Sequence, residues 1–98
     1  MSLPVGLRPL AQAEFDAAVA RYEQSQVGLG ADFAAAVQAV LDEASQAPDR
    51  YPLADGDVRE GPVSGFPYCV YYRVRLGRVA VVAVYHQSRD PSGWRGRA

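Results

Sequence analysis

The sequence predicts an α+β fold in the order β-α-α-β-β-β, with an antiparallel helical hairpin packed on a mainly antiparallel sheet. Three observations carry this. Two neighbouring segments in the first half repeat their apolar residues with helical period. The second half changes to runs of aromatic and β-branched residues, two of them joined by a two-residue turn. The link between the helical segments is only a few residues long, which sets the helices antiparallel. The 98 residues are read as one domain, 1–98, large enough to bury roughly two thirds of the unfolded surface.

Val5 and Leu7 fall on one face of a short first strand, and Pro4 and Gly6 push it towards an edge of the sheet. Pro9 suits a helix entry. From about Ala11 to Ser25, Phe15, Ala18, Val19 and Tyr22 recur at i, i+3, i+4 and i+7, with Glu14, Asp16, Arg21 and Glu23 mostly outside that face. Gly28-Leu29-Gly30 breaks the pattern and offers positive φ for a tight connection. From about Gly30 to Ala47, Phe33, Val37, Val40, Leu41 and Ala44 line one face on an alanine-rich background, and the segment stops before Pro48. Residues 48–57 read as a loop. Val58-Arg59-Glu60 is a short strand closed by Gly61-Pro62, and residues 68–75 a longer one. Leu76-Gly77 turns the chain into a return strand from Arg78 to Tyr85. That last strand is apolar on both faces, which places it centrally in the sheet. The tail from His86 is polar and rich in turn residues.

Charge is distributed unevenly. All ten basic residues are arginine. Residues 1–60 hold four of them against ten carboxylates, a net −6, whereas residues 61–98 hold six against Asp90 alone, a net +5. Such asymmetry suggests an anionic partner. One cysteine and one histidine exclude an internal disulfide and a structural zinc site, so neither cofactor nor metal is expected. No apolar run approaches the roughly 18 residues of a membrane span, and the N-terminus lacks a signal pattern, so the expected setting is cytoplasmic, without a membrane partner.

Alternation along the 68–75 strand puts Tyr68, Val70, Tyr72 and Val74 on one face and Cys69, Tyr71, Arg73 and Arg75 on the other. The first set suits the helices. The second places guanidiniums beside a phenol, a pairing suited to nucleic acid; the plainer reading is a half-buried strand with a solvated arginine face. In the tail, His86 beside Arg89 has the residue types of an acid–base pair, and Arg73, His86 and Arg89 together those of a phosphodiester-cleaving set, although their spacing does not make them converge. The plainer readings are a structural His86, a turn at Asp90-Pro91 and a Trp94 that anchors the tail. Cys69 sits mid-strand, where burial outweighs nucleophilic use.

In order along the chain, Arg8-Pro9-Leu10-Ala11, Tyr22-Glu23, Gly28-Leu29-Gly30-x-x-Phe33, Pro48-x-x-Tyr51-Pro52, Val58-Arg59, Phe66-Pro67-Tyr68-x-Val70-Tyr71-Tyr72-Arg73-Val74 and His86-x-x-Arg89-Asp90-Pro91-x-x-Trp94 resemble the RelE/ParE toxin family from about Val5 to Arg97. The resemblance implies the toxin of a type II toxin–antitoxin module, neutralised by a co-expressed antitoxin that alone contacts operator DNA. RelE-like members cleave mRNA on the ribosome; ParE-like members poison DNA gyrase. The strand position where RelE-like nucleases place an arginine is Cys69 here, their lysines have no counterpart, and only Arg89 matches. The resemblance therefore implies the ParE side, a gyrase inhibitor rather than an enzyme. Its target- or antitoxin-binding surface is expected at Arg59, Tyr71, Arg73, Arg75, His86, Arg89, Trp94 and Arg95. The alternatives are a ribosome-dependent endoribonuclease using Arg73, His86 and Arg89, and an antitoxin-binding co-repressor without toxicity. Leu10, Leu29 and Leu53 are the candidates for an apolar groove.

Overall fold

The structure, a computed structural model, describes residues 2–97. Strand β1 (Val5–Leu7) leads into helices α1 (Pro9–Ser25) and α2 (Leu29–Gln46). Strands β2 (Leu53–Asp55), β3 (Val58–Pro62), β4 (Tyr68–Arg75) and β5 (Arg78–His86) follow, and a 3₁₀ turn, Pro91–Gly93, lies in the tail. The five strands form one sheet in the order β1-β5-β4-β3-β2, antiparallel except that edge strand β1 runs parallel to β5. β5 lies between β1 and β4, as its apolar faces require.

Two strands depart from the sequence expectation. The 48–57 segment is not all loop: Leu53–Asp55 forms edge strand β2, which turns into β3 around Gly56 at φ 56°. Asp55 pairs with Val58, so Gly56-Asp57 is the two-residue turn, a Gly-Asp hairpin signal easily passed over because so little apolar sequence precedes it. β3 also continues through Gly61 to Pro62, which pairs with Cys69. Pro62 is tolerated because β2 has already ended on the side where its missing N–H would point.

Glycines settle two close approaches. Only Gly28 of the Gly28-Leu29-Gly30 connection has positive φ, 88°. Gly30 is helical, and a Cβ there would lie 2.7 Å from the Val19 carbonyl oxygen, so its role is to let α2 cross α1 closely. The Glu23 carboxylate accepts from the N–H groups of Gly28 and Gly30 at 2.9 and 3.0 Å, satisfying donors at the start of α2. A Cβ on Gly61 would lie 2.6 Å from Val40 Cγ1, where α2 presses on β3.

The two faces of the sheet are covered differently. On the helical side, Phe33, Val37, Val40, Leu41 and Ala44 of α2 pack with Ala11 and Ala18 of α1 on Tyr68, Val70, Tyr72, Val79, Val81 and Val84. On the other side a smaller cluster joins Val58, Cys69, Tyr71, Val82, Ala83, Tyr85 and Trp94. The expected alternation of β4 therefore holds, but the face carrying Cys69 and Tyr71 is covered by the tail. A β-bulge assists this. Tyr71 pairs with Ala83 and Tyr72 with Val81, so Val82 is an extra residue, and Val82 and Ala83 both join the tail-side cluster.

Candidate functional site

Tail docking begins with aromatic packing. Trp94 is buried and stacks on Tyr71, ring centroids 3.9 Å apart and planes 18° from parallel. The Tyr71 hydroxyl donates to Glu60 Oε1 at 2.6 Å across the β3–β4 pair. Burial raises the Tyr71 phenol well above its ordinary value, and the Glu60 carboxylate raises it further, so it stays protonated as a donor. The Tyr85 hydroxyl donates to the Asp90 carbonyl at 2.6 Å. The Asp90 carboxylate accepts from the Ser92 N–H at 2.9 Å, capping the 3₁₀ turn, and that bond lowers its pKa.

The tail's far end is held by ions. Arg97 makes a two-pronged contact with Glu14 of α1, Nη1 to Oε1 at 3.0 Å and Nη2 to Oε2 at 2.9 Å, and also donates to the Val82 and Gly93 carbonyls. Glu14 Oε1 accepts in turn from the Val84 N–H at 3.1 Å. These groups occupy the flank of β5 that β1, ending at Leu7 opposite Val81, leaves without a partner. A covered edge does not template pairing with another chain.

The expected surface residues separate into groups. His86, Arg89, Trp94 and Arg95 gather at the open end of the β4–β5 hairpin. There a cleft of ≈310 Å³ bounded by Glu60, Tyr71, Tyr85 and Trp94 meets a cleft of ≈410 Å³ bounded by Glu14, Arg21 and Tyr68, with His86 and Arg89 on the shared rim. Arg89 lies 4.4 Å from the Tyr85 ring centroid and Arg95 5.6 Å from that of Trp94, cation–π contacts that leave both heads at the surface. His86 packs edge-on to Tyr68, and its Nδ1 is met by the Ser88 N–H and hydroxyl at 3.0 and 2.7 Å. Arg21 of α1 hydrogen-bonds the Tyr68 hydroxyl in the same cleft.

Arg73 and Arg75 lie towards the other end of the hairpin, where both meet Asp57, at 3.1 and 3.4 Å. Arg73 is mostly buried and its Nε has no hydrogen-bond partner. Because Tyr68 pairs with His86, Arg73 stands five residues along β4, about 17 Å away at ~3.3 Å per residue. Arg73 and His86 cannot close on one phosphate. Arg59 belongs to neither group: its Nη1 donates to the Asp49 and Tyr51 carbonyls at 3.2 and 2.7 Å, holding the loop after α2. Cys69 is buried, Gln87 Nε2 donates to its Sγ at 3.5 Å, and burial raises the thiol's pKa. Nor do the three leucines share a groove. Leu10 starts α1 beside Val82, Leu29 starts α2 at the opposite end of the helical hairpin, and Leu53 lies on the β2 edge.

Sequence reasoning missed Glu14, Arg21, Glu60, Tyr85 and Arg97. Glu14 carried a usable signal, since it falls three residues after Ala11 and four before Ala18, both fully buried. An acid on that stripe implies an interior partner. Arg97 carried none among so many tail arginines.

Comparison with known proteins agrees with this architecture. The family model described as the ParE toxin of the type II toxin–antitoxin system, parDE, matches residues 5–91. A solved structure described as a chromosomal ParDE toxin–antitoxin system from P. aeruginosa superposes with a TM-score of 0.72 at 14% identity, over 87% of this chain and 96% of that one. At that identity the likeness is one of fold. No curated protein matches in sequence.

Proposed function

The chain belongs to the ParE toxin family of type II toxin–antitoxin systems, and from that premise we propose that it inhibits DNA gyrase by binding it and is neutralised by a cognate antitoxin. The observation that carries this reading is the division of the cations between the two ends of the β4–β5 hairpin, with a buried Cys69 where a nuclease of the related branch would hold an arginine. Stabilising a pentacovalent phosphate requires positive charge converging within hydrogen-bond distance of one group. Arg73 is bound to Asp57, about 17 Å along the strand from His86. The exposed Arg89 and Arg95, set over the buried rings of Tyr85 and Trp94 beside two clefts, instead form a patch suited to a protein partner.

In this reading the chain acts as one domain, in the cytoplasm, and operator contacts belong to the antitoxin. Among the described residues no helix is long and apolar enough to cross a membrane. The antitoxin segment is expected to present Asp or Glu to His86, Arg89 and Arg95, with affinity that weakens as salt rises. Purified toxin should block gyrase supercoiling and leave ribosome-bound mRNA intact, and Arg89→Ala should weaken the block while the thermal midpoint is retained. In-frame mRNA cleavage in a translation extract, with supercoiling unaffected, would overturn the reading.

A further inference from the structure

We propose that the tip of the β4–β5 hairpin is a contact for duplex DNA, with Leu76 as an apolar wedge and Arg75 and Arg78 neutralising phosphates beside it. Three observations meet at this tip, and two of them, the turn backbone and the paired charges, oppose the stability of the fold. Leu76 and Gly77 have φ of 52° and 72°, the backbone of a type I′ turn. That turn favours Asn-Gly, because an L-residue with a bulky side chain disfavours the left-handed region. Among the described residues Leu76 is the only one other than glycine with positive φ. Its side chain is also fully exposed, at 101%. Finally, Arg75 and Arg78 stand directly opposite each other, like charges on a cross-strand pair.

Single exposed leucines are ordinary on protein surfaces. This one differs because an asparagine in its place would improve the turn and remove the exposed apolar group together. Strain and exposure at one position, surrounded by repelling charges, mark a residue retained for contact rather than for folding.

The chemistry of the tip selects the partner. Arg8 lines the same shallow depression as Arg75, Leu76 and Arg78, and Asp57 is the carboxylate that meets Arg73 and Arg75. Four guanidiniums against one carboxylate suit a polyanion. Single-stranded nucleic acid is held largely by stacking on aromatic rings, and residues 73–79 contain none. An aliphatic side chain between cations instead matches the wedge that partly unstacks a duplex base step while the cations hold the backbone. The inference does not depend on gyrase inhibition, and it gives the toxin itself a duplex contact separate from the antitoxin's operator binding.

The test measures the full chain, free of antitoxin, against a fluorescently labelled duplex carrying 2-aminopurine, at a series of salt concentrations and without gyrase. The wild type should bind with affinity falling steeply in salt and should brighten the 2-aminopurine by unstacking it. Leu76→Asn should raise the thermal midpoint yet bind at least about fivefold more weakly and lose the brightening. Arg78→Ser should reduce the log–log salt slope by about 1 while the brightening persists. The proposal is overturned by absence of duplex binding at low salt, by unchanged affinity in Leu76→Asn, or by tighter binding to the matching single strand. A lower midpoint for Leu76→Asn would also overturn it, by removing the stability sacrifice on which it stands.

Discussion

The two faces of one five-stranded sheet are closed by opposite means. The helical face is covered by 35 residues of helix whose apolar stripes interlock with β4 and β5 around Phe33, Tyr68 and Tyr72. The other face is covered by a short irregular tail that buries one large side chain, Trp94, and is held otherwise by hydrogen bonds and the Glu14–Arg97 pair. A long amphipathic element closes a sheet through area, and its stability is spread over many contacts. A segment too short to present such a stripe must fasten itself at a few points. The first arrangement makes a scaffold. The second leaves Arg89, Arg95 and two clefts at the surface, the region proposed to meet partners.

Perturbing each face should expose this difference. Phe33 is fully buried amid four aromatic neighbours, Phe15, Tyr22, Phe66 and Tyr68, so Phe33→Ala should cost about 3–5 kcal/mol and lower the urea midpoint of the whole domain. Trp94→Ala should cost less, about 2 kcal/mol, because the tail can lift away instead of leaving a rigid cavity. Its signature should be faster trypsin cleavage at Arg95 and Arg97 with the helical circular dichroism retained. An equal loss from the two variants would show that the tail belongs to the cooperative core and would break the comparison.

Arg97→Ala should cost about 1–2 kcal/mol, and a double-mutant cycle with Glu14→Gln should show strong coupling between the two. Near-additive effects would mean that Trp94 alone fastens the tail.

A smaller effect is expected at alkaline pH. Burial raises the pKa of Cys69 above 9.0 and of Tyr71 above 10.0, so the unfolded chain releases these protons first. Stability should be complete below pH 9 and should fall as pH rises beyond it. Tyr71→Phe should flatten that slope, measured by thermal midpoints from pH 8 to 11; an unchanged slope would remove Tyr71 from the account. The smallest effect belongs to Arg50→Ala, whose exposed 2.8 Å pair with Glu43 should be worth no more than about 0.5 kcal/mol by chemical denaturation.

The charge split acquires a physical meaning from the contacts. Several acids of the negative half do structural tasks: Glu23 caps α2, Glu14 holds Arg97, Glu60 orients Tyr71 and Asp57 restrains Arg73 and Arg75. They are not simply solubilising outer faces. The positive half is likewise divided, between a hairpin tip and an open end separated by the length of β4.

Much of this protein was legible in its residues. Periodicity located both helices, alternation assigned the faces of β4, and an apolar run placed β5 inside the sheet, because burial imposes those patterns on each segment locally. Ordered motifs likewise pointed to the toxin family that the family comparison supports. Strand β2 left only Gly56-Asp57 as a local trace, and the bulge at Val82, which turns two adjacent residues to the tail side, left none. Nor could linear spacing reveal that Arg97 meets Glu14, 83 positions earlier, or that Arg73 and His86 stand apart. Local patterns report which side of an element is buried. Which charges meet depends on strand register and on the path of the tail, and those are decided only when the sheet closes.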